Sequence, residues 1–155
     1  MTPFSTLSQA IQDKLKALST CAGVSIVQDD DQNVATMIAK ATGSIGMLIL
    51  LAIPDFKNKD GTLTNIINAD LKIQILIREV PTIWRRQSNN NPIHCSDLAQ
   101  AISPPLQGLV VPGFEPLRIL TGLPLGNFVT MLTSGKTVSF QDYLLELETM
   151  QIFSD

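Results

Sequence analysis

Residues 69–86 constrain the fold more than any other part of the chain. In the first half of this stretch, apolar side chains occupy every second position from Leu71 to Ile77, and most residues between them are polar. Alternation with a period of two is typical of a strand with one buried face, so the segment is predicted to lie at the centre of a sheet. Proline has no N–H to donate to a partner strand, so Val80 and Pro81 mark where the chain should leave that sheet.

The residues after this strand form the best candidate for an interaction site. They are Ile83, Trp84, Arg85 and Arg86, which place the only tryptophan of the chain beside two arginines. Tryptophan and arginine are enriched at the centres of protein interfaces, so these four residues are predicted to form an exposed contact for another protein. Two alternatives remain open from the residues alone. Trp84 can fold back onto the core, or it can stack on a nucleic-acid base.

Periodicity and turn residues predict three helices and five strands in total. The helices are expected at residues 4–18, 32–42 and 97–102, and the strands at 24–28, 44–53, 65–79, 117–120 and 138–153. Gly43 is expected to end the second helix, and Ser96 to cap the third. Pro104 and Pro105 should bend that helix or restart it. The polar stretches 54–62 and 87–93 are expected to be loops.

The order of these elements is α-β-α-β-β-α-β-β, which indicates an α+β fold with a mostly antiparallel mixed sheet covered by about three helices. A chain of 155 residues is long enough for one domain, here residues 1–155, that buries roughly two-thirds of its unfolded surface. Charged residues make up 16% of the chain and apolar residues 45%. So little charge is unusual for a small monomer, and it predicts that other subunits cover some apolar surface.

The composition also excludes several classes of function. With 11 basic and 14 acidic residues the net charge is −3, which argues against a protein that grips nucleic acid. The most apolar run, residues 45–53, is much shorter than the roughly 20 residues that span a bilayer. No secretion signal is recognisable, so Cys21 and Cys95 are expected to be reduced thiols that neither pair with each other nor bind a metal. No cofactor motif is present.

His94, Cys95, Ser96 and Asp97 are the only cluster of nucleophile, base and carboxylate types. Adjacent residues rarely form a catalytic triad, because its members come from segments that meet in space. The simpler interpretation is a loop histidine, a small apolar cysteine and a helix cap at Ser96. The competing hypothesis is a small cytosolic enzyme with Cys95 or Cys21 as its nucleophile.

Several stretches together resemble a family of bacteriophage tail-completion proteins, the tail terminators and their minor-tail relatives. The similar stretches are the amphipathic helix at 4–18, the apolar strand 46–53 that follows Gly43 and ends at Pro54, the strand and turn at 77–86, the helix at 96–102 with residues 106–109, and the final strand at 143–149. The turn is similar to a strand-Glu-x-Pro-x-x-Asn-Arg pattern. Trp84 stands at the position of its asparagine.

This resemblance implies a structural protein without catalytic activity. Its copies would form a closed ring, most simply of six, through heterologous contacts made by a sheet face or by the loop at 54–63. The implied partners are further copies of the chain, the tail tube protein and the head–tail connector proteins. DNA would pass through the ring without specific binding, and no membrane is involved. The implied location is the neck end of the tail in the virion, after synthesis in the host cytoplasm.

Overall fold

A computed structural model of the chain describes residues 3–29, 33–58, 68–87 and 93–152. The helices are α1 (Pro3–Lys16), α2 (Val34–Lys40), α3 (Pro81–Gln87) and α4 (Cys95–Leu106). The strands are β1 (Ser25–Gln28), β2 (Met47–Asn58), β3 (Asn68–Glu79), β4 (Arg118–Met131) and β5 (Thr137–Ile152). The loop predicted at 54–62 is wrong in its first part, because β2 continues to Asn58, where its backbone still pairs with β3. Gln87, predicted as the start of the loop at 87–93, is the last residue of α3. Residues 59–62 and 88–92 of these predictions lie outside the described residues.

The five strands form one sheet in the order β1-β2-β3-β5-β4. β1 runs parallel to β2, and every other neighbouring pair is antiparallel. The α+β class with a mostly antiparallel sheet is therefore confirmed. In the described part of the chain, no helix has the length and apolar character needed to cross a membrane.

β3 is the central strand, as its alternation predicts. It pairs along its length with β2 on one side and with β5 on the other. Ile75, for example, lies opposite Leu51 and Leu145, and all three side chains are buried. Residues directly opposite one another in such pairs share a face, so this row belongs to the main core.

Helices α1 and α4 cover one face of the sheet, here called the inner face. The α1 residues Leu7, Ile11 and Leu15 have no exposed surface, in agreement with the predicted helical stripe. On α4, Leu98 and Ile102 lie in the same cluster. Full burial of each such side chain contributes about 1.5–3 kcal/mol. α4 extends through Pro104 and Pro105 to Leu106, so the helix does not restart there.

The end of the second helix differs from the prediction. α2 is followed by a π-helical turn, Ala41–Ile45, and Gly43 lies within this turn rather than ending the helix. The chain reverses at Gly46 instead, where φ is 86°. That conformation is easy for glycine and costly for other residues.

The largest difference concerns the region after α4. A strand was expected at 117–120, but β4 continues to Met131 and forms a long hairpin with β5. The pairing shifts between Ile119 and Thr121 and again between Pro124 and Gly126. These two bulges break the alternation along the strand, and almost every residue of β4 is exposed. Without a buried face, the strand leaves no clear period-two pattern in the sequence.

Candidate interaction surface

The chain leaves the sheet after Glu79, as predicted, but it enters a helix rather than an exposed loop. Pro81 is the first residue of α3, a position where its fixed φ and missing N–H suit a helix. Ile83 and Trp84 lie on one side of this short helix, and Val80, the residue before it, is three and four positions away from them and is buried with them. That side faces the protein interior.

Trp84 is therefore not the exposed anchor that the sequence predicted. It is 5% exposed within the main core, and its indole Nε1 donates a hydrogen bond to the Ile93 carbonyl oxygen at 3.0 Å. Ile83, 4% exposed, packs with Val80 and with Phe140 of β5. Trp84 instead packs onto the core, which is one of the two alternatives that the sequence left open. The Arg85 and Arg86 side chains lie outside the described residues.

Glu79 is fully buried and joins the central strand to α4. Its Oε1 accepts a hydrogen bond from the Cys95 backbone N–H at 2.8 Å, and its Oε2 lies 2.9 Å from His94 Nδ1. The carboxylate thus caps the helix N-terminus, where backbone N–H groups lack partners and negative charge is favourable. The predicted cap at Ser96 is wrong, because Ser96 already lies in the first turn and His94 occupies the N-cap position.

Both cysteines are free and buried. Burial raises the pKa of Cys95 from its ordinary 9.0 to about 11, and the neighbouring Glu79 carboxylate adds to that effect. Burial also raises the pKa of Cys21. A thiol acts as a nucleophile through its thiolate, so these environments make both cysteines poor nucleophiles at neutral pH.

The described residues contain no cluster of three or more His, Cys, Asp or Glu that is arranged to hold a metal ion. His94 has Glu79 as its carboxylate neighbour. That pair orients the imidazole and caps α4, which accounts for its geometry structurally.

The base of the β4–β5 hairpin is fixed to β3 by an ion pair. Arg78 donates from Nε and Nη2 to the two carboxylate oxygens of Asp142, at 2.9 and 3.0 Å. Its guanidinium carbon lies 4.1 Å from the centre of the Phe140 ring, which stacks on Phe128 at 5.4 Å. Bidentate geometry and the aromatic contact together hold this arginine in one position.

Glu79 is the last residue of β3, and it pairs with Gln141 of β5. The β5 residues before Gln141 therefore have no partner in β3. We call residues 128–140 the hairpin arm. Val138 and Phe140 pack the arm against Val80 and Ile83. The opposite side of the arm is open, and there Val129 and Met131 are 70% and 71% exposed.

β4 carries most of the exposed large apolar side chains among the described residues. We call this set the β4 surface. It consists of Leu120, Leu123, Leu125, Phe128, Val129 and Met131. The stretch 119–135 contains no Asp, Glu, Lys, Arg or His. Phe128 lies on the side of Phe140, and Val129 and Met131 lie on the other side of the strand. So many exposed large apolar side chains on one strand mark a site of contact with another molecule. The sequence signal for it was the long charge-free stretch, which was visible without the structure.

A row of leucines continues the β4 surface across the outer face of the sheet, opposite to α1 and α4. The row consists of Leu50, Leu76, Leu144 and Leu123, which are successive partners in the strand register. None of the four is fully buried. The row ends at β2 where α2 begins to cover the sheet, since Leu50 packs against the cluster around Leu48.

A groove of about 720 Å³ separates α2 from the tip of the hairpin arm. Ala35 and Ala39 line one wall, Thr130 and Leu132 line the other, and Arg78 contributes to the lining between them. The groove holds no cluster of ionisable groups among the described residues that would support catalysis. Its chemistry is that of a contact surface.

Neither a scan against models of known protein families nor a search of curated proteins finds a match for the chain.

Proposed function

We propose that this protein is a structural component of a bacteriophage tail. In this role its copies form a ring that terminates or completes the tail tube and joins it to the head–tail connector. The resemblance in motifs and element order supports the tail assignment. Fold similarity alone does not establish a function, so the proposal also rests on the exposed apolar side chains of the β4 surface.

The observation that carries the assembly part of the proposal is the β4 surface. Six large apolar side chains on one strand are at least 40% exposed, and no charged residue interrupts them between positions 119 and 135. Removing a large apolar side chain from water is worth about 1.5–3 kcal/mol. Covering several of them supplies enough free energy to hold subunits together, while leaving them open favours aggregation.

The residue chemistry supports a structural role rather than catalysis. Cys95, the best placed candidate nucleophile, has a pKa raised to about 11, and its neighbour Glu79 is engaged in capping α4. A nucleophilic cysteine needs the opposite environment, one that lowers its pKa. No observation in the described part of the chain favours the enzyme hypothesis.

A ring follows from the heterologous contacts that the resemblance implies. When one patch meets a different patch on the next copy, a fixed rotation either closes a ring or builds a filament. Six copies match a tail of sixfold symmetry. The neighbours along the tail axis are the tail tube protein and the connector. The net charge of −3 suits a channel that lets DNA pass, because a basic lining would bind phosphates and slow the passage.

The test is to locate the chain in assembled particles. Imaging of tails at subnanometre detail, together with quantitative protein composition, should find about six copies at the neck end of each tail. A single copy per particle would contradict the ring. Absence of the chain from every virus-like tail in its host would contradict the proposal as a whole.

A further inference from the structure

The groove between α2 and the hairpin arm collects positive charge on a chain that is acidic overall. Among the described residues that line it are Lys40 and Arg78, and none of them is an aspartate or glutamate. The whole chain has 14 acidic and 11 basic residues. Lys40 ends α2 and Arg78 lies near the end of β3, so two separate elements bring these cations to one groove. Its charge favours a ligand that carries a carboxylate or another anion.

The guanidinium of Arg78 has one edge engaged and another edge open. An arginine side chain carries five N–H donors in a planar fork. Asp142 accepts from Nε and Nη2, at 2.9 and 3.0 Å, whereas the two N–H groups of Nη1 donate to no described residue. The bonds to Asp142 and the contact with the Phe140 ring fix the plane of the group. A second carboxylate would therefore meet an edge that is already oriented, which lowers the entropic cost of binding.

The charges around the groove favour a ligand with a single negative charge. Arg78 and Asp142 cancel each other as a pair, and Lys40 forms no ion pair with a described residue. One carboxylate would neutralise this set of three charges. A dianion would leave a negative charge without a counter-charge, which is costly where water is excluded.

The rest of the lining suits an apolar body attached to that carboxylate. Ile38 and Ala39 contribute apolar surface on α2, and Met131, which is 71% exposed, does so on the arm. Thr42 also lines the groove, and it is 6% exposed with no hydrogen-bond partner for its Oγ1 among the described residues. Buried hydroxyls normally have a partner, which a backbone amide of a bound segment would supply. The volume of about 720 Å³ is in the range of ligand-binding sites.

Two observations favour a segment of a different protein over a free small acid or a second copy. Met131 belongs both to the groove and to the β4 surface, so a protein that covers that surface also reaches the groove. In the described part of this chain, no exposed large apolar side chain is next to an aspartate or glutamate in sequence. A second copy therefore offers no acidic and apolar segment of the required kind within its described residues.

We propose that the groove receives an acidic segment of a different protein, in which one carboxylate binds the open edge of Arg78 and apolar neighbours cover Ala39 and Met131. This inference rests on the proposed structural role, because it specifies the chemistry of a neighbour in the assembly. Arg78 gives the contact its direction through hydrogen bonds, and Lys40 supplies the charge that the carboxylate neutralises.

The first test titrates the full chain, isotopically labelled for NMR, with two short peptides that differ only in charge. One is leucine–glutamate–leucine with blocked ends, and the other has glutamine in place of glutamate. The glutamate peptide should shift the Arg78 Nε–H resonance and the amide resonances of α2 until they saturate. It should bind at least about tenfold more tightly than the glutamine peptide. Equal binding of the two peptides, or no saturable shift up to about 10 mM, would overturn the proposal.

The second test uses two pairs of matched variants at exposed positions, where folding should be unaffected. Lys40→Gln removes the unpaired charge and should weaken binding of the glutamate peptide about threefold, whereas Lys16→Gln on α1 should not. Ala39→Phe fills the groove and should abolish binding. Met37→Phe, on the same helix but outside the lining, should not. Equal effects within either pair would contradict binding in this groove.

Two further measurements separate the possible occupants. Acetate alone is the probe for a free small acid, and acetate that binds as tightly as the glutamate peptide would overturn the proposal. Sedimentation of the wild-type chain tests the second copy. Self-association that Ala39→Phe abolishes would assign the groove to a second copy and overturn the choice of a different protein. None of these results bears on the ring in assembled tails, which particle imaging decides independently.

Discussion

Glu79 Oε1 lies 2.8 Å from the backbone nitrogen of Cys95, so the last residue of the central strand caps the helix that covers that strand. The carboxylate has no exposed surface, and its second oxygen is 2.9 Å from His94 Nδ1. One side chain thus joins the sheet to α4 across 16 residues of sequence. Glu79 therefore has a structural role, and its removal should lower the stability of the whole fold.

We expect Glu79→Ala to lower the free energy of unfolding by about 1–3 kcal/mol, because the Cys95 N–H would remain buried without an acceptor. Glu79→Gln keeps an acceptor oxygen and should cost less. Urea unfolding followed by circular dichroism measures both. Glu115→Ala, at an exposed position, is the control and should change stability by less than about 0.5 kcal/mol. Equal stability of Glu79→Ala and wild type would show that the cap contributes nothing.

The raised pKa of Cys95 predicts slow alkylation and a loss of stability at alkaline pH. Between pH 9 and 11 the thiol ionises in the unfolded chain but stays protonated in the fold. Ionisation of the Cys95 thiol therefore stabilises the unfolded state and does not stabilise the native state. Stability conferred by the protonated thiol is complete below pH 9 and is lost as the pH rises towards about 11.

Two measurements check this prediction. Iodoacetamide at pH 7.5 should label Cys95 slowly in the native protein and rapidly in urea. The fall in unfolding free energy between pH 9 and 11 should be smaller in Cys95→Ala than in the wild type. Rapid labelling of the native protein would contradict the buried, protonated thiol and restore the hypothesis of a nucleophilic cysteine.

The burial of Trp84 predicts a large effect of its removal on folding. Trp84→Ala should lower the free energy of unfolding by about 3–5 kcal/mol, as is usual for a large aromatic side chain taken from a core. Trp84→Phe keeps most of the volume but loses the bond from Nε1 to the Ile93 carbonyl, so it should cost less. Thermal and urea unfolding of the isolated domain compare the two variants.

Fluorescence gives an independent check, because Trp84 is the only tryptophan. Its emission should be shifted to the blue and resist quenching by acrylamide in the native protein. Strong quenching, with little effect of Trp84→Ala on unfolding, would favour the surface anchor that the sequence predicted.

The parts of the fold that the sequence predicted carry a local pattern, which in β3 and α1 comes from one buried face. Leu71, Ile73, Ile75 and Ile77 alternate because the inner face of β3 meets α1 and α4, and that contact is what the period-two pattern reports. α1 is predicted for the same reason, with a helical period. In both cases a single local pattern carries the information.

The remaining parts lack such a local pattern. β4 has no buried face and two bulges, so exposure and broken register remove its alternation. α3 has only seven residues, too few for a clear helical period. The Glu79 cap joins residues that meet only in space, and no spacing in the sequence announces it. The β4 surface can be inferred from the sequence by charge alone, because residues 119–135 contain no charged side chain.

The close approach of Gly46 to α3 gives a prediction with an internal control. A Cβ at Gly46 would lie 2.5 Å from the backbone nitrogen of Trp84 and 2.9 Å from its Cα. Both distances are shorter than the contacts that Cβ atoms make in proteins. Gly108 has a similar φ, 78° against 86°, but a Cβ there would meet nothing within 4 Å. The two positions therefore share the cost of a left-handed backbone and differ in steric contact, Gly46 being buried and Gly108 exposed.

We expect Gly108→Ala to lower the free energy of unfolding by about 1–2 kcal/mol, the cost of placing a Cβ in the left-handed region. Gly46→Ala should cost this amount and about 1–3 kcal/mol more, because α3 must shift away from the turn before β2 to relieve the contact. The tryptophan emission of Gly46→Ala should also move to the red, since the displaced backbone is that of Trp84. Equal unfolding free energies for the two variants would show that α3 does not pack against Gly46 as described.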